Sequence, residues 1–272
     1  MQLLHSATRN YSWGSRTLIP HLQGQPDSDK PVAELWFGAH PGDPSTVDGR
    51  LLNEVIAEDP AGQLGSRVSA EYGERLPFLL KVLAAEEPLS LQAHPSKTQA
   101  EEGFARENAA GIELTASNRN YKDDNHKPEL IVALTDFYAM AGFRPLARTR
   151  ELFAALECPE LDHYVAMLDD DPSATTESAN LRVLFTTWIT IPAAKRKELI
   201  SAIVAAGERL IAADPADWKS RVMSTVLDLN QRYPGDIGVL GALLLNHIEL
   251  SPGEAVYLDA GQLHAYVSGL GV

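Results

Sequence analysis

The chain has 272 residues, 44% hydrophobic and 22% charged, enough for one large domain or two smaller ones around a packed core. Its formal net charge of −14 argues against nucleic acid or an anionic membrane surface as the main partner, but leaves room for a phosphorylated small molecule, which needs only a few local Lys or Arg. The single cysteine, Cys158, excludes an internal disulfide framework and a cysteine-rich metal site, in keeping with a reducing cytoplasm.

The N-terminal stretch MQLLHSATRNYSWGS has no basic start followed by a sustained apolar core, so no signal peptide is read there. Up to about residue 145 the texture is β. AELWFG (33–38), LPFLLKVLA (76–84), LSLQAH (89–94) and ELIVAL (129–134) predict strands, with turn signals such as HPGDPS and EEP between them. Residues 96–108 and parts of 51–70 predict helix. From 146 to 232 the texture is helical: Ile200, Ile203, Val204, Gly207 and Leu210 fall on one helical face, as do Val222, Val226 and Leu229. Within this region the acidic run Asp169, Asp170 and Asp171 reads as a solvated loop. After the turn YPGD (233–236), β texture returns in VLGALLLNHIEL, AVYLDA and GQLHAYVSG. The apolar run IGVLGALLL (237–245) is too short to span a bilayer. The order β, α, β predicts a helical insertion within a β fold.

Strand alternation sorts the chemistry-bearing residues. In LSLQAH, Ser90, Gln92 and His94 share one face and Leu89, Leu91 and Ala93 the other. An ordinary half-buried strand gives the same pattern, with its polar side in solvent. In HKPELIVAL, Lys127 and Glu129 share a face with Ile131 and Ala133, and the unbroken apolar run LIVAL predicts burial on both sides. A carboxylate beside such a strand needs a cation, a metal or hydrogen-bond donors. A third candidate is His264 in AGQLHAY. Two His, one Glu and one Gln suit Zn²⁺, and also Fe²⁺, Mn²⁺ or Co²⁺. Spacing alone does not select them, since His5, His21, His40, His163 and His247 are equally eligible by type. Trp13 and Trp36 read as packing residues. GxGxxG, Walker A, HExxH and GxSxG are absent from the sequence.

Six segments, in order, resemble the type I phosphomannose isomerase family: YSWG (11–14), AELWFGAHPGDPS (33–45), PFLLKVLAAEEPLSLQAHPSK (77–97), YKDDNHKPELIVAL (121–134), FYAMAGFRP (137–145) and AGQLHAYVSG (260–269). The resemblance implies a mainly β protein of cupin-type jelly-roll fold carrying a helical domain. Residues 1–145 and 233–272 would form the catalytic domain, discontinuous and C-terminally incomplete, and residues 146–232 the helical insertion. It implies one Zn²⁺ held by Gln92, His94, Glu129 and His264, with Ser90, Lys127 and Tyr266 lining the substrate pocket and His126 beside them. The implied reaction interconverts mannose 6-phosphate and fructose 6-phosphate through a cis-enediol. Zinc would steady the developing charge, Lys127 would take the C2 proton, and His126 would assist ring opening. The expected setting is a cytoplasmic monomer.

The family pattern continues beyond SGLGV with an acidic residue and a second β region carrying an Asp and an Arg for proton transfer and phosphate binding. Without those groups from elsewhere, the expectation is zinc binding with low or no isomerase activity. Two other readings are a non-catalytic sugar-phosphate-binding cupin and an Fe²⁺-dependent cupin oxygenase; the Gln ligand and the NHKPE context speak against the latter.

Overall fold

A computed structural model describes residues 2–168 and 174–272, so the acidic run Asp169–Asp171 lies outside the described residues. The chain opens with β1 (Leu4–His5), β2 (Ala7–Arg9), α1 (Leu18–Leu22), β3 (Glu34–Phe37), β4 (Thr46–Val47) and β5 (Arg50–Leu51). Three short helices follow, α2 (Leu52–Glu58), α3 (Pro60–Leu64) and α4 (Ser66–Tyr72), then β6 (Leu80–Ala85), α5 (Lys97–Ala109), β7 (Glu129–Val132) and β8 (Phe137–Phe143). Next come α6 (Leu146–Leu156), α7 (Pro159–Val165), α8 (Ala174–Thr190), α9 (Ala193–Ala213), α10 (Trp218–Arg232) and α11 (Ile237–Ala242). The chain closes with β9 (Leu245–Leu250), β10 (Ala255–Leu258) and β11 (His264–Gly271).

Pairing is antiparallel throughout. A six-stranded sheet runs β2-β3-β6-β11-β8-β9, beside a three-stranded sheet β1-β4-β5 and a two-stranded sheet β10-β7. Among the described residues, helical residues outnumber strand residues more than twofold, so the protein mixes helices with antiparallel sheets and is not the expected mainly β chain. The last strand in sequence, β11, is central in space. One edge pairs with β8, and the other with β6 at Gly269–Gly271. Gly269 is needed there: its φ is +120°, and a Cβ would lie 2.6 Å from the Asp136 carbonyl oxygen.

Three expectations change. LSLQAH is not a strand of its own but an extension of the β6 side of the sheet. The turn Glu86-Glu87-Pro88 steps out of the ladder, with the Glu86 and Glu87 amides donating to the Trp13 carbonyl. The chain then rejoins β11, where the Leu89 amide donates to the Tyr266 carbonyl and Gln92 exchanges both backbone bonds with His264. Second, LIVAL is buried on one side only. Ile131 and Ala133 face inward, while Leu130 is 61% exposed, because β7 belongs to a two-stranded sheet with one open face. Third, the apolar run 237–245 splits into α11 and the start of β9. Asp236 caps that helix by accepting from the Gly238 amide, a local signal the apolar pattern hides.

Helix thus continues past residue 232, into α11. The largest apolar core fills the helical region, with Leu152, Leu184, Trp188, Ile203 and Met223 fully buried. It runs without a break into Met140 of β8 and Ala265 of β11, so the helices pack on the sheet that carries the site. Arg144, at the end of β8, is pinned at this junction: its guanidinium donates to the Leu243 and Leu245 carbonyls, and its amide to that of Leu244. No helix among the described residues is long and apolar enough to cross a membrane.

Candidate metal centre

The Gln92–His264 bridge sets the site's geometry. Residues directly opposite in an antiparallel pair point to the same side of the sheet, and Tyr266, two residues along β11, points there too. His94 follows two residues after Gln92. Glu129 comes from the two-stranded sheet, as the first residue of β7, and meets them. His94 Nε2 lies 3.0 Å from Glu129 Oε1, and His264 Nε2 lies 3.4 Å from Glu129 Oε2. Among the described residues, His94, Glu129 and His264 each offer a ligand atom, all within 4.8 Å of one another.

The surrounding hydrogen bonds orient this group. His264 Nδ1 donates to the Gln262 carbonyl at 2.9 Å, which orients the ring so that Nε2 is aimed at the centre. The Tyr266 hydroxyl donates to Glu129 Oε2 at 2.7 Å, and its ring packs edge-on against the fully buried Phe137. Burial opposes ionisation of Glu129, but hydrogen bonds with His264, His94 and Tyr266 outweigh it, and the carboxylate is held well below its usual range. Burial and then the charge of Glu129 push the Tyr266 phenol far above its ordinary value. For His264, burial favours the neutral ring, but the bonds to Glu129 and the Gln262 carbonyl prevail and raise its pKa. Two imidazole nitrogens converge on one ionised carboxylate, the donor chemistry a zinc ion requires, and Gln92, whose side chain carries an amide oxygen, lines the same cavity.

The group lies in a cavity of about 960 Å³ also lined by Tyr266, His126 and Lys127. Glu129 keeps 33% of its side-chain surface, so it is half-buried and opens on this cavity instead of being enclosed beneath a strand. Lys127 is half-exposed, with Nζ 3.3 Å from Asp123 Oδ2. Ser90 lines a neighbouring cavity of about 780 Å³, between the 89–92 segment and α11, and Gln92 borders both. Gln92 and His94 thus line one cavity together, while Ser90 lines the neighbouring one.

Residue-by-residue reading passed over one wall of the cavity. Lys81 bonds to Glu34 at 3.3 Å and lies over the Trp36 ring, whose Nε1 donates to Glu34 at 2.8 Å. His40 packs edge-on against Trp36, and burial together with the charges of Lys127 and Lys81 lowers its pKa. The available signal was Lys81 itself, a lone charge inside the apolar strand PFLLKVLA.

Comparison with known proteins gives a consistent result. The family model described as phosphomannose isomerase type I, catalytic domain, matches residues 1–146. Mannose-6-phosphate isomerase of Escherichia coli K12 is 39% identical over 278 residues, covering 99% of this chain and 67% of that protein. Mannose-6-phosphate isomerase 1 of Arabidopsis thaliana is 33% identical, covering 99% of this chain and 63% of its own length. A crystal structure of the Salmonella typhimurium mannose 6-phosphate isomerase bound to substrate (fructose 6-phosphate) and zinc superposes with a TM-score of 0.86 at 36% identity, covering 100% of this chain and 66% of that one. The chain thus spans about two thirds of the length of the relatives it matches.

Proposed function

Because the chain belongs to the type I phosphomannose isomerase family, we propose that it is the zinc-binding part of an aldose–ketose isomerase acting on mannose 6-phosphate and fructose 6-phosphate. The observation that carries this reading is the convergence of His94, Glu129 and His264 in a cavity lined by Lys127 and His126. Gln92, His94, Glu129 and His264 would hold one zinc ion. When bound, zinc supplies a Lewis acid that polarises substrate oxygens. The solved Salmonella relative, bound to fructose 6-phosphate and zinc, supports this assignment.

The protein's own groups have distinct tasks in this scheme. His126 assists ring opening, since an imidazole can both give and take a proton near neutral pH. Lys127 takes the proton at C2 and returns it at C1 through a cis-enediol. It needs the neutral amine for this, so its 3.3 Å contact with Asp123 must loosen when substrate enters. Tyr266 borders the sugar, while Ser90 lines the neighbouring cavity and is assigned no contact with the sugar. The antiparallel sheets fit the larger part of a cupin-type jelly-roll, with the helices as an insertion. A cytoplasmic monomer is the proposed setting.

Metal analysis of the purified chain, with a mannose 6-phosphate turnover assay, tests the reading. One zinc per chain is the expected result, with little turnover from this chain alone and, in a version extended by the remaining third of its relatives' length, turnover that Lys127→Ala abolishes. Zinc and sugar-phosphate binding without turnover in that extended version would replace the reading with a binding role. Iron with oxygen consumption would replace it with an oxygenase.

A further inference from the structure

Helix α5 touches both segments that supply the candidate centre. Its N-cap, Ser96, lies two residues after His94 and closes a capping box with Gln99, so the helix start is held rigidly to the His94 segment. At the same end, Lys97 Nζ donates to the Asp124 carbonyl at 2.8 Å and lies 3.4 Å from Asn125 Oδ1, just before His126 and Lys127.

The other end holds the beginning of the same loop. Glu107, buried on α5, accepts from the Asn120 and Tyr121 amides, the latter at 2.8 Å, and pairs with Arg119 Nε at 3.1 Å. The Arg119 guanidinium is fully enclosed and also donates to the Tyr121 and Ile112 carbonyls and to Asn108 Oδ1. Between the two ends, Gly103 explains itself. A glycine weakens a helix interior, but a Cβ at this position would lie 2.5 Å from the Tyr121 ring, which packs on the bare backbone. Without a purpose for the loop, a buried ion pair and an interior glycine would both be costs to the helix.

We propose that α5 is a two-point clasp in which Lys97 and the Glu107–Arg119 pair are positioning residues for loop 120–128, setting where Lys127 and Glu129 stand relative to His94. The part concerning zinc rests on the proposed function; the part concerning the loop does not. The clasp makes the His94 and Glu129 segments one body, although 35 residues separate them in sequence. Outer-shell partners of this kind typically alter metal affinity 10- to 100-fold when removed.

The test uses the whole chain with Lys97→Met, Lys97→Arg and Gly103→Ala. Hydrogen exchange of amides 120–127 is measured in the zinc-free protein, and zinc affinity by competition with a chelator. Lys97→Met should lose exchange protection in 120–127 alone and bind zinc about tenfold more weakly, with an unchanged melting temperature, and Lys97→Arg should restore both. Gly103→Ala should show the same loop-confined loss, whereas a merely structural helix would become more stable with alanine. Unchanged exchange in loop 120–128 for both variants overturns the clasp, as does a loss spread over the whole chain. If the unaltered chain binds no zinc, the metal reading fails, and the exchange data still decide the clasp.

Discussion

The helical region and the sheet region divide the labour of this protein. In the helices, Leu184, Trp188, Ile203 and Met223 have no exposed surface, and the core they form is almost wholly apolar. Around the candidate centre, half-buried Glu129, His94 and Lys127 face an open cavity, and the apolar clusters beneath are small. The contrast follows from cost. Ionisable groups can be kept partly desolvated only where neighbours supply hydrogen bonds, and a sheet with side chains alternating between two faces offers apolar support on one side and donors on the other. The helices supply stabilising bulk and the sheet supplies position.

The largest effect should come from breaking the helical side. Trp188→Ala removes a ring packed near Phe153 and Tyr164 and should cost about 3–5 kcal/mol in denaturant unfolding, with zinc affinity unchanged in whatever fraction stays folded. The opposite emphasis comes from Glu129→Gln. It should weaken zinc binding about 100-fold by chelator competition, or roughly 3 kcal/mol, and also lower the zinc-free melting temperature, because native hydrogen bonds hold the carboxylate ionised.

A third measurement probes the seam between the regions. Burial, and to a smaller extent the charge of Arg144, lowers the His247 pKa to about 4, against the hydrogen bond it makes to the Ala242 carbonyl. The native ring therefore stays neutral where the unfolded ring takes up a proton. Stability contributed by His247 is full above about pH 6.5, falls as pH drops towards 4, and is lost below that, up to about 3 kcal/mol. His247→Asn should flatten that segment of a stability–pH curve measured by urea unfolding. Smaller still is Tyr266→Phe, which deletes one hydrogen bond to Glu129 and should weaken zinc about tenfold without altering the core. Smallest is Leu130→Lys on the open face of β7, expected within about 0.5 kcal/mol by thermal unfolding.

Much of the architecture was legible beforehand because period and punctuation agree. AELWFG and AVYLDA contain β3 and β10, LPFLLKVLA covers β6 up to Ala84, and the 96–108 helix is α5 to within a residue, marked by Ser96 and Gln99. Errors arose where a local pattern has two tertiary solutions. An apolar run such as LIVAL is consistent with burial on both faces, but only the position of β7 in a two-stranded sheet exposes Leu130. The run 237–245 reads as continuous, but the turn at Leu243–Leu244 divides it into α11, which Asp236 caps, and the start of β9.

The same distinction holds at the candidate centre. By itself the sequence determined which residue types are available and which neighbours share a face: Gln92 with His94, and Lys127 with Glu129, since side-chain alternation is a property of extended backbone. The segments quoted from it also sufficed to point to the family. What only the tertiary structure decided is the meeting of those pairs. The bridge from Gln92 to His264, the hydrogen bond from Tyr266 to Glu129, and the α5 contacts to loop 120–128 all join residues remote along the chain. Such contacts are fixed by strand order and helix packing, which no local period encodes, and they select His94 and His264 from eight chemically equivalent histidines.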